Sequence, residues 1–413
     1  MQTLSRRAVL AGAGISPWSA ARAGTPAEWD TQPEIRPTDS VVARDMQCGP
    51  HFVLGPSVTT LAYLNRYTVN TDYGPFIAPS DVRLRRLLRE IAAIAQLQAM
   101  QQTDAFEKAA VEAGKSPFRS AKALIDDPVG TLSAIPEGIG SIFSRATQQL
   151  HREGRSQYED GPARQILAVS GYKRDYAAKL GVDVYSSNEA LQKELDRMAW
   201  ASAAGNLTLG ALSFVTGALA LQVASNVRLL EQAQNVVEAT PPSELSKRNR
   251  QHLRRMAVPD AITDRFLRNP ALSPRHETII VACMAALGNI PGRARFIEYA
   301  AAADTEDAAL LFQQMAELIA TYNSDVSAVQ EIAVVFNLPV IATVKGPHII
   351  LIPIDRLLWT PRNAEIAKAL AGARPPVYEI WLTGDASPRA QAGLSELGLV
   401  LTQQCGKRLP LLD

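Results

Sequence analysis

The chain has 413 residues, and its 42 Lys and Arg against 41 Asp and Glu give a formal charge of +1. So even a balance supplies no overall pull toward nucleic acid or an anionic membrane, and nucleic acid is set aside as a partner. An apolar fraction of 47% suffices for real cores, and abundant Ala with only 6% aromatic residues favours closely packed helices.

The chain opens Met1-Gln2-Thr3-Leu4-Ser5-Arg6-Arg7-Ala8-Val9-Leu10. Three parts follow in the order of a secretory signal: the positive pair Arg6-Arg7, a mildly apolar run from Ala8 to about Ala20, and Ala21-Arg22-Ala23 before Gly24. Ser5-Arg6-Arg7 with Val9-Leu10 resembles the twin-arginine signal, an address read by a receptor rather than an anchor. Val9 stands where that signal often has Phe, and Ala11 where it often has Lys. The resemblance implies a cleaved signal peptide over residues 1–23 and passage through the twin-arginine export machinery in folded form. The expected destination is the bacterial periplasm or the medium. No Cys lies near the cleavage pattern, which argues against a lipoprotein. Without Arg6, Arg7 and Arg22 the mature chain keeps 39 basic against 41 acidic residues, a balanced surface.

Residues 24–57 hold Pro26, Pro33, Pro37, Pro50 and Pro56 and read as an extended Pro-rich arm. Val58 to Val69 is rich in β-branched residues, and Tyr73-Gly74-Pro75-Phe76-Ile77 follows, which suggests a small hairpin. Helices then dominate a domain over 58–336, with a sub-boundary near 155–162. Ser80-Asp81 caps a helix with the apolar stripe Leu84, Leu87, Leu88, Ile91, Ile94. Arg83, Arg85, Arg86 and Arg89 fall mostly off that stripe and are expected to keep an outer face in water. A helix over about 162–180 ends at Gly181, and Ser187-Asn188 starts the next. Ser273-Pro274, Thr360-Pro361 and Ser387-Pro388 each place a hydroxyl cap before Pro at the first helical position. Thr305 to Phe336 carries a long helical pattern that Asn323-Ser324 interrupts. Residues 337–413 change character: strands around 340–344, 348–353, 377–382 and 399–403, with helices after Thr360 and Ser387, describe a small α/β module. The expected fold is therefore mainly α, a multi-helix bundle with a small C-terminal α/β module.

Several stretches carry candidate chemistry, each against a plainer alternative. Residues 198–227 contain no charge and form either a buried helix or a membrane-contacting segment. The Gly-rich stretch 127–143 lacks the spacing of a phosphate-binding loop. Cys48-Gly49-Pro50-His51 has a thiol near an imidazole, but no resolving Cys. Cys48, Cys283 and Cys405 allow one disulfide and one free thiol in an oxidising compartment, with no choice of pair. Lys247, Arg248, Arg250, Arg254 and Arg255 make a basic cluster able to meet anionic head groups or an acidic partner, or simply a solvated face. Thr383 to Arg389 joins a strand to a helix where parallel sheets bind ligands, yet capping alone selects the same residues. The five histidines show no metal-ligand spacing, and no Gly-x-Ser-x-Gly elbow is present, so no metal site is expected and no cofactor is indicated. The leading expectation is a non-enzymatic envelope scaffold or binding protein, membrane-associated or bound to another envelope protein. The alternative is an exported enzyme of the hydrolase class whose site comes from dispersed residues.

Overall fold

The computed structural model describes residues 29–115, 164–205, 207, 228–336, 338–344, 346–373 and 376–412. The export residues Arg6, Arg7, Ala21 and Ala23, the stretch 127–143, and most of the charge-free stretch (206 and 208–227) lie outside the described residues.

Strands come first. β1 (Glu34–Pro37), β2 (Cys48–Gly49), β3 (Phe52–Leu54), β4 (Ser57–Leu61), β5 (Leu64–Thr71) and β6 (Gly74–Ala78) form a six-stranded antiparallel sheet. Its order is β1-β4-β5-β3-β2, with β6 also paired to β5. Period two fixes the faces: Val58, Thr60, Asn65, Tyr67 and Val69 are buried, while Arg66, Thr68 and Asn70 face water. The β4–β5 loop is just Ala62 and Tyr63, at φ 48° and 79°, the left-handed backbone that a tight hairpin demands.

Helix α1 (Asp81–Gln101) covers the inner face of this sheet. Ser80 caps it by accepting the Arg83 N–H at 3.2 Å. Leu84, Leu87, Leu88 and Ile91 pack on Phe52, Val58, Tyr67 and Val69, each fully buried side chain contributing roughly 1.5–3 kcal/mol. Further along, Ile94, Leu97 and Met100 of the same helix pack in a second core with α2 (Asp104–Lys115), α3 (Arg164–Leu180) and α4 (Glu189–Gly205). One long helix thus ties the sheet to the helical layer.

The largest core joins α5 (Arg228–Ala239), α6 (Pro242–Arg255), α7 (Asp260–Leu267), α8 (Pro274–Ala286), α9 (Arg293–Ala300) and α10 (Glu306–Asp325). It continues onto one face of a second sheet through Ile332, Ile341, Ile349, Leu351 and Trp381. That sheet has the order β13-β11-β9-β8-β7, built from β7 (Val329–Val335), β8 (Leu338–Thr343), β9 (His348–Ile352), β11 (Glu379–Leu382) and β13 (Val400–Thr402). β7, β8 and β9 are antiparallel, whereas β9, β11 and β13 run parallel. Helices α11 (Pro361–Ala371) and α12 (Pro388–Glu396) cover its other face with Ala367, Leu370, Ala390 and Leu394. The short strands β10 (Arg356–Leu357) and β12 (Asp385–Ala386) pair separately.

These sheets overturn the expected fold class. The molecule is not a mainly α bundle with a small C-terminal module: twelve helices share the described residues with a six-stranded N-terminal sheet and a five-stranded mixed sheet. Most of the N-terminal strands are short, and apolar Ile35, Val53, Leu61 and Ile77 stand at outer positions, so the alternation of buried apolar and exposed polar residues is blurred. In the same way, Thr305 to Phe336 is not one helical run. α10 stops at Asp325, Asn323 Oδ1 accepts the Val329 N–H at 2.9 Å, and the β-branched 329–335 segment pairs with β8.

The two ends of the described chain are clasped together. Asp30 accepts from the Trp359 N–H at 2.7 Å, from the Ser387 hydroxyl, and from Arg389 at 3.2 Å. Arg356 grips Glu34 with two bonds of 3.0 Å. The buried Asp355 carboxylate accepts the Asn65 N–H at 2.9 Å and the Asp81 N–H at 3.2 Å.

Candidate functional site

The first places to look are the residues that the sequence singles out. None of the three cysteines is disulfide-bonded. Cys48 is exposed on β2, opposite Val53, and the nearby His51 ring is engaged with Asp72 at 2.9 Å. Cys283 and Cys405 are buried. Burial, with Glu317 nearby, pushes the Cys283 thiol far above its usual range, and burial pushes Cys405 up to about 12. Neither thiol is a nucleophile near neutral pH.

The basic cluster lies on α6, and much of its charge is answered locally. Arg250 pairs with Asp264 at 2.7 Å, Arg248 with Glu244 at 3.4 Å and Arg254 with Asp260 at 3.7 Å. Lys247 and Arg255 face solvent. Thr383 to Arg389 offers no ligand space. Ser387 caps α12 and donates to Asp30, and a side chain at Gly384 would lie 2.0 Å from the Asp355 carbonyl oxygen. Among the described residues, no three of His, Cys, Asp and Glu converge as metal ligands would.

The chemistry instead concentrates in a cleft that the sequence reading does not anticipate. Two adjoining cavities of about 640 and 740 Å³ share Asp183, Ser186, Ser187, Thr305 and Glu306. The starts of α4, α8 and α10 line this cleft, so three positive helix ends face it. Each start has an identifiable local cause. Asn188 Oδ1 accepts from the Ala190 and Leu191 N–H groups. Ser273 and His276 form a reciprocal capping box, and Thr305 accepts from Ala308.

Bookkeeping of donors and acceptors shows what the cleft lacks. Four of its carboxylates are engaged, while Glu189 and Asp304 also line it and are exposed to solvent. Glu90 accepts from Ser186 Oγ at 2.5 Å and Asn188 Nδ2 at 2.9 Å. Asp183 accepts from the Tyr185 N–H at 2.9 Å and Arg275 at 3.4 Å. Glu306 and Asp307 accept from Arg83 at 2.7 and 3.2 Å. Arg83, though bonded to Glu306 and Asp307, keeps an unpartnered Nε, and two further residues hold unanswered donors. Arg86, which lines the larger cavity, is 8% exposed, and its Nε and Nη2 have no partner. His276, which lines the smaller cavity, is 3% exposed, and its Nε2 has none either.

The protonation state of each donor follows from its surroundings. His276 Nδ1 accepts the Ser273 backbone N–H at 3.2 Å, so a neutral ring carries its proton on Nε2. Burial first, then the charges of Arg86, Arg275 and Arg83, hold the His276 pKa well below its usual value, and the ring stays neutral. Burial and the neighbouring Arg275 bring Arg86 down to about 9, still charged at neutral pH. A buried guanidinium without an acceptor, beside other guanidinium groups, is a costly arrangement that an anion would relieve.

This placement reverses one expectation from the sequence. Arg86 is not part of a solvated face; it is buried beside α8. Arg275, His276 and Glu277, in the first turn of α8, are all buried as well. The available signal was their position directly before Thr278-Ile279-Ile280-Val281, a helix start with no outer face for three ionisable residues. No family model matches this chain, and no curated protein or solved structure is significantly similar to it.

Proposed function

We propose that this chain is an exported envelope protein, periplasmic or secreted, that binds a small anionic ligand in the α1–α4–α8–α10 cleft without converting it. Export rests on the signal at residues 1–23, and the twin-arginine machinery is its partner in transit. The observation that carries the binding reading is Arg86, a charged and buried cavity-lining residue whose Nε and Nη2 have no partner. Binding in the cleft is favoured over a scaffold docked through the basic cluster, because Arg248, Arg250 and Arg254 are met by acids of the same chain. The hydrolase alternative gains no support from the Ser273–His276 contact. Ser273 Oγ accepts the His276 N–H as a helix cap, and His276 Nδ1 already accepts a backbone proton.

The test is thermal unfolding of the mature chain in rising inorganic phosphate or acetate at constant ionic strength. Binding to the folded state alone raises stability by about 2.7 kcal/mol at one hundred times Kd. The reading expects stabilisation by the oxyanions, none by matched chloride, and its loss in Arg86→Met. Equal melting temperatures in all three salts would end it.

A further inference from the structure

We infer that the ligand is an amphipathic organic anion, its oxyanion head at Arg86 and its apolar body against the β6 wall of the larger cavity; this rests on the anion-binding reading above. The two sides of that cavity differ in kind. One side carries Arg83, Arg86 and Glu90 of α1. The other is Tyr73-Gly74-Pro75-Phe76-Ile77-Ala78-Pro79, seven consecutive residues with no charged group. Ile77 is 55% exposed there, and Tyr73 and Phe76 are only half-buried. Apolar surface bared to water a cavity's width from a buried, unanswered cation inverts the usual distribution, and one molecule with an acidic end and an apolar end corrects both faults.

Size and hydrogen bonding narrow the class. A cavity of about 740 Å³ falls in the roughly 300–1,000 Å³ range that holds organic ligands, and a bare inorganic oxyanion would leave Ile77 facing water. Glu90, Asp183, Glu306 and Asp307 accept from Ser186, Asn188, Tyr185, Arg83 and Arg275, while Glu189 also lines this cavity and is exposed to solvent. An extended peptide is disfavoured. β6 pairs only with β5 among the described strands, but Pro75 within it and Pro79 after it cannot donate to an added strand. A planar guanidinium edge takes two oxygens of a carboxylate or of a phosphate ester equally well, so the head group is one of these two.

The experiment is titration calorimetry on the mature chain with inorganic phosphate, phenyl phosphate, acetate, benzoate and octanoate. The expected result is that an organic member of a pair binds at least about tenfold tighter than its inorganic or short counterpart, as burial of a modest apolar area yields. The phosphate and carboxylate series then show which head the cleft prefers. In Ile77→Ser, a surface change that leaves the core intact, the ratio within each pair falls toward one. Arg86→Met abolishes binding of every member. Equal affinity within each pair would overturn the amphipathic class and leave anion binding standing. Organic probes that bind undiminished to Arg86→Met would overturn the head assignment. Absence of binding by every probe, phosphate and acetate included, would remove the underlying reading as well.

Discussion

Phe312 and Arg86 are both buried on long helices, and their surroundings are opposites. Phe312 on α10 is fully enclosed and meets Phe296 edge-on, with centroids 6.1 Å apart. It belongs to the largest apolar core of the described residues. Arg86 on α1 lies among Arg83, Arg275 and His276, and two of its own nitrogens are unanswered. The first region is organised for stability. On the anion-binding proposal, the unanswered guanidinium of the second is the physical mark of a site.

Substitutions should separate the two regions. The largest loss of stability is expected from Phe312→Ala, about 3–5 kcal/mol in denaturant unfolding, with the stabilising effect of phosphate retained in the folded fraction. Arg86→Met should do the reverse. The ligand-free protein should be unharmed or gain up to about 1–4 kcal/mol, and stabilisation by phosphate should vanish. If Arg86→Met instead unfolds the protein, the guanidinium is structural and the contrast collapses.

The pH dependence sharpens the comparison. Glu317 on α10 is fully buried and accepts from Gln313 Nε2 at 2.7 Å and the Leu412 N–H at 2.9 Å. Burial raises its pKa from 4.5 to about 7, against the pull of its hydrogen bonds and of Arg275 and Arg86. Because the folded state holds this proton more tightly, the contribution is complete below pH 4.5 and is lost as pH rises to about 7. Unfolding free energy measured across that window should therefore fall, and Glu317→Gln should flatten the slope. An anion beside Arg86 opposes the charge that keeps Glu317 ionised, so ligand affinity should increase as pH falls through about 7. A flat affinity profile would uncouple the cleft from α10.

Smaller effects concern the residues the sequence made conspicuous. A thiol reagent should modify one cysteine, Cys48, in the folded protein and all three in denaturant, since Cys283 and Cys405 are buried. Arg254→Ala removes an exposed pair at 3.7 Å and should shift stability by no more than about 0.5 kcal/mol.

What could be read in the sequence was what is decided locally. Ser80, Ser273, Thr360 and Ser387 start helices where expected, because a cap is settled within four residues. The C-terminal strands announced themselves as continuous apolar runs, since β8 and β9 are buried on both faces. Of the N-terminal sheet only β4 to β6 were signalled, as a hairpin; β1 draws its meaning from β4, twenty residues on, and Glu34 from Arg356. Arg86 was misjudged for the same reason. Its helix is amphipathic in isolation, and only the assembled cleft, with Arg275 of α8 near Arg86, turns the presumed wet face into a cavity wall. The cleft is a product of long-range assembly, where no single segment carries the pattern.

The clasp between the chain ends bears on the order of events during biosynthesis. Asn65 and Asp81 offer their backbone N–H groups to Asp355, 290 and 274 positions later, and Asp30 and Glu34 wait for residues 356–389. β1 to β6 can pair as soon as they leave the ribosome, but these ties cannot close until residues 355–389 have been translated. A product truncated before Asp355 would leave both donors without their acceptor, so closure of the clasp marks the moment at which the distant segment has been made.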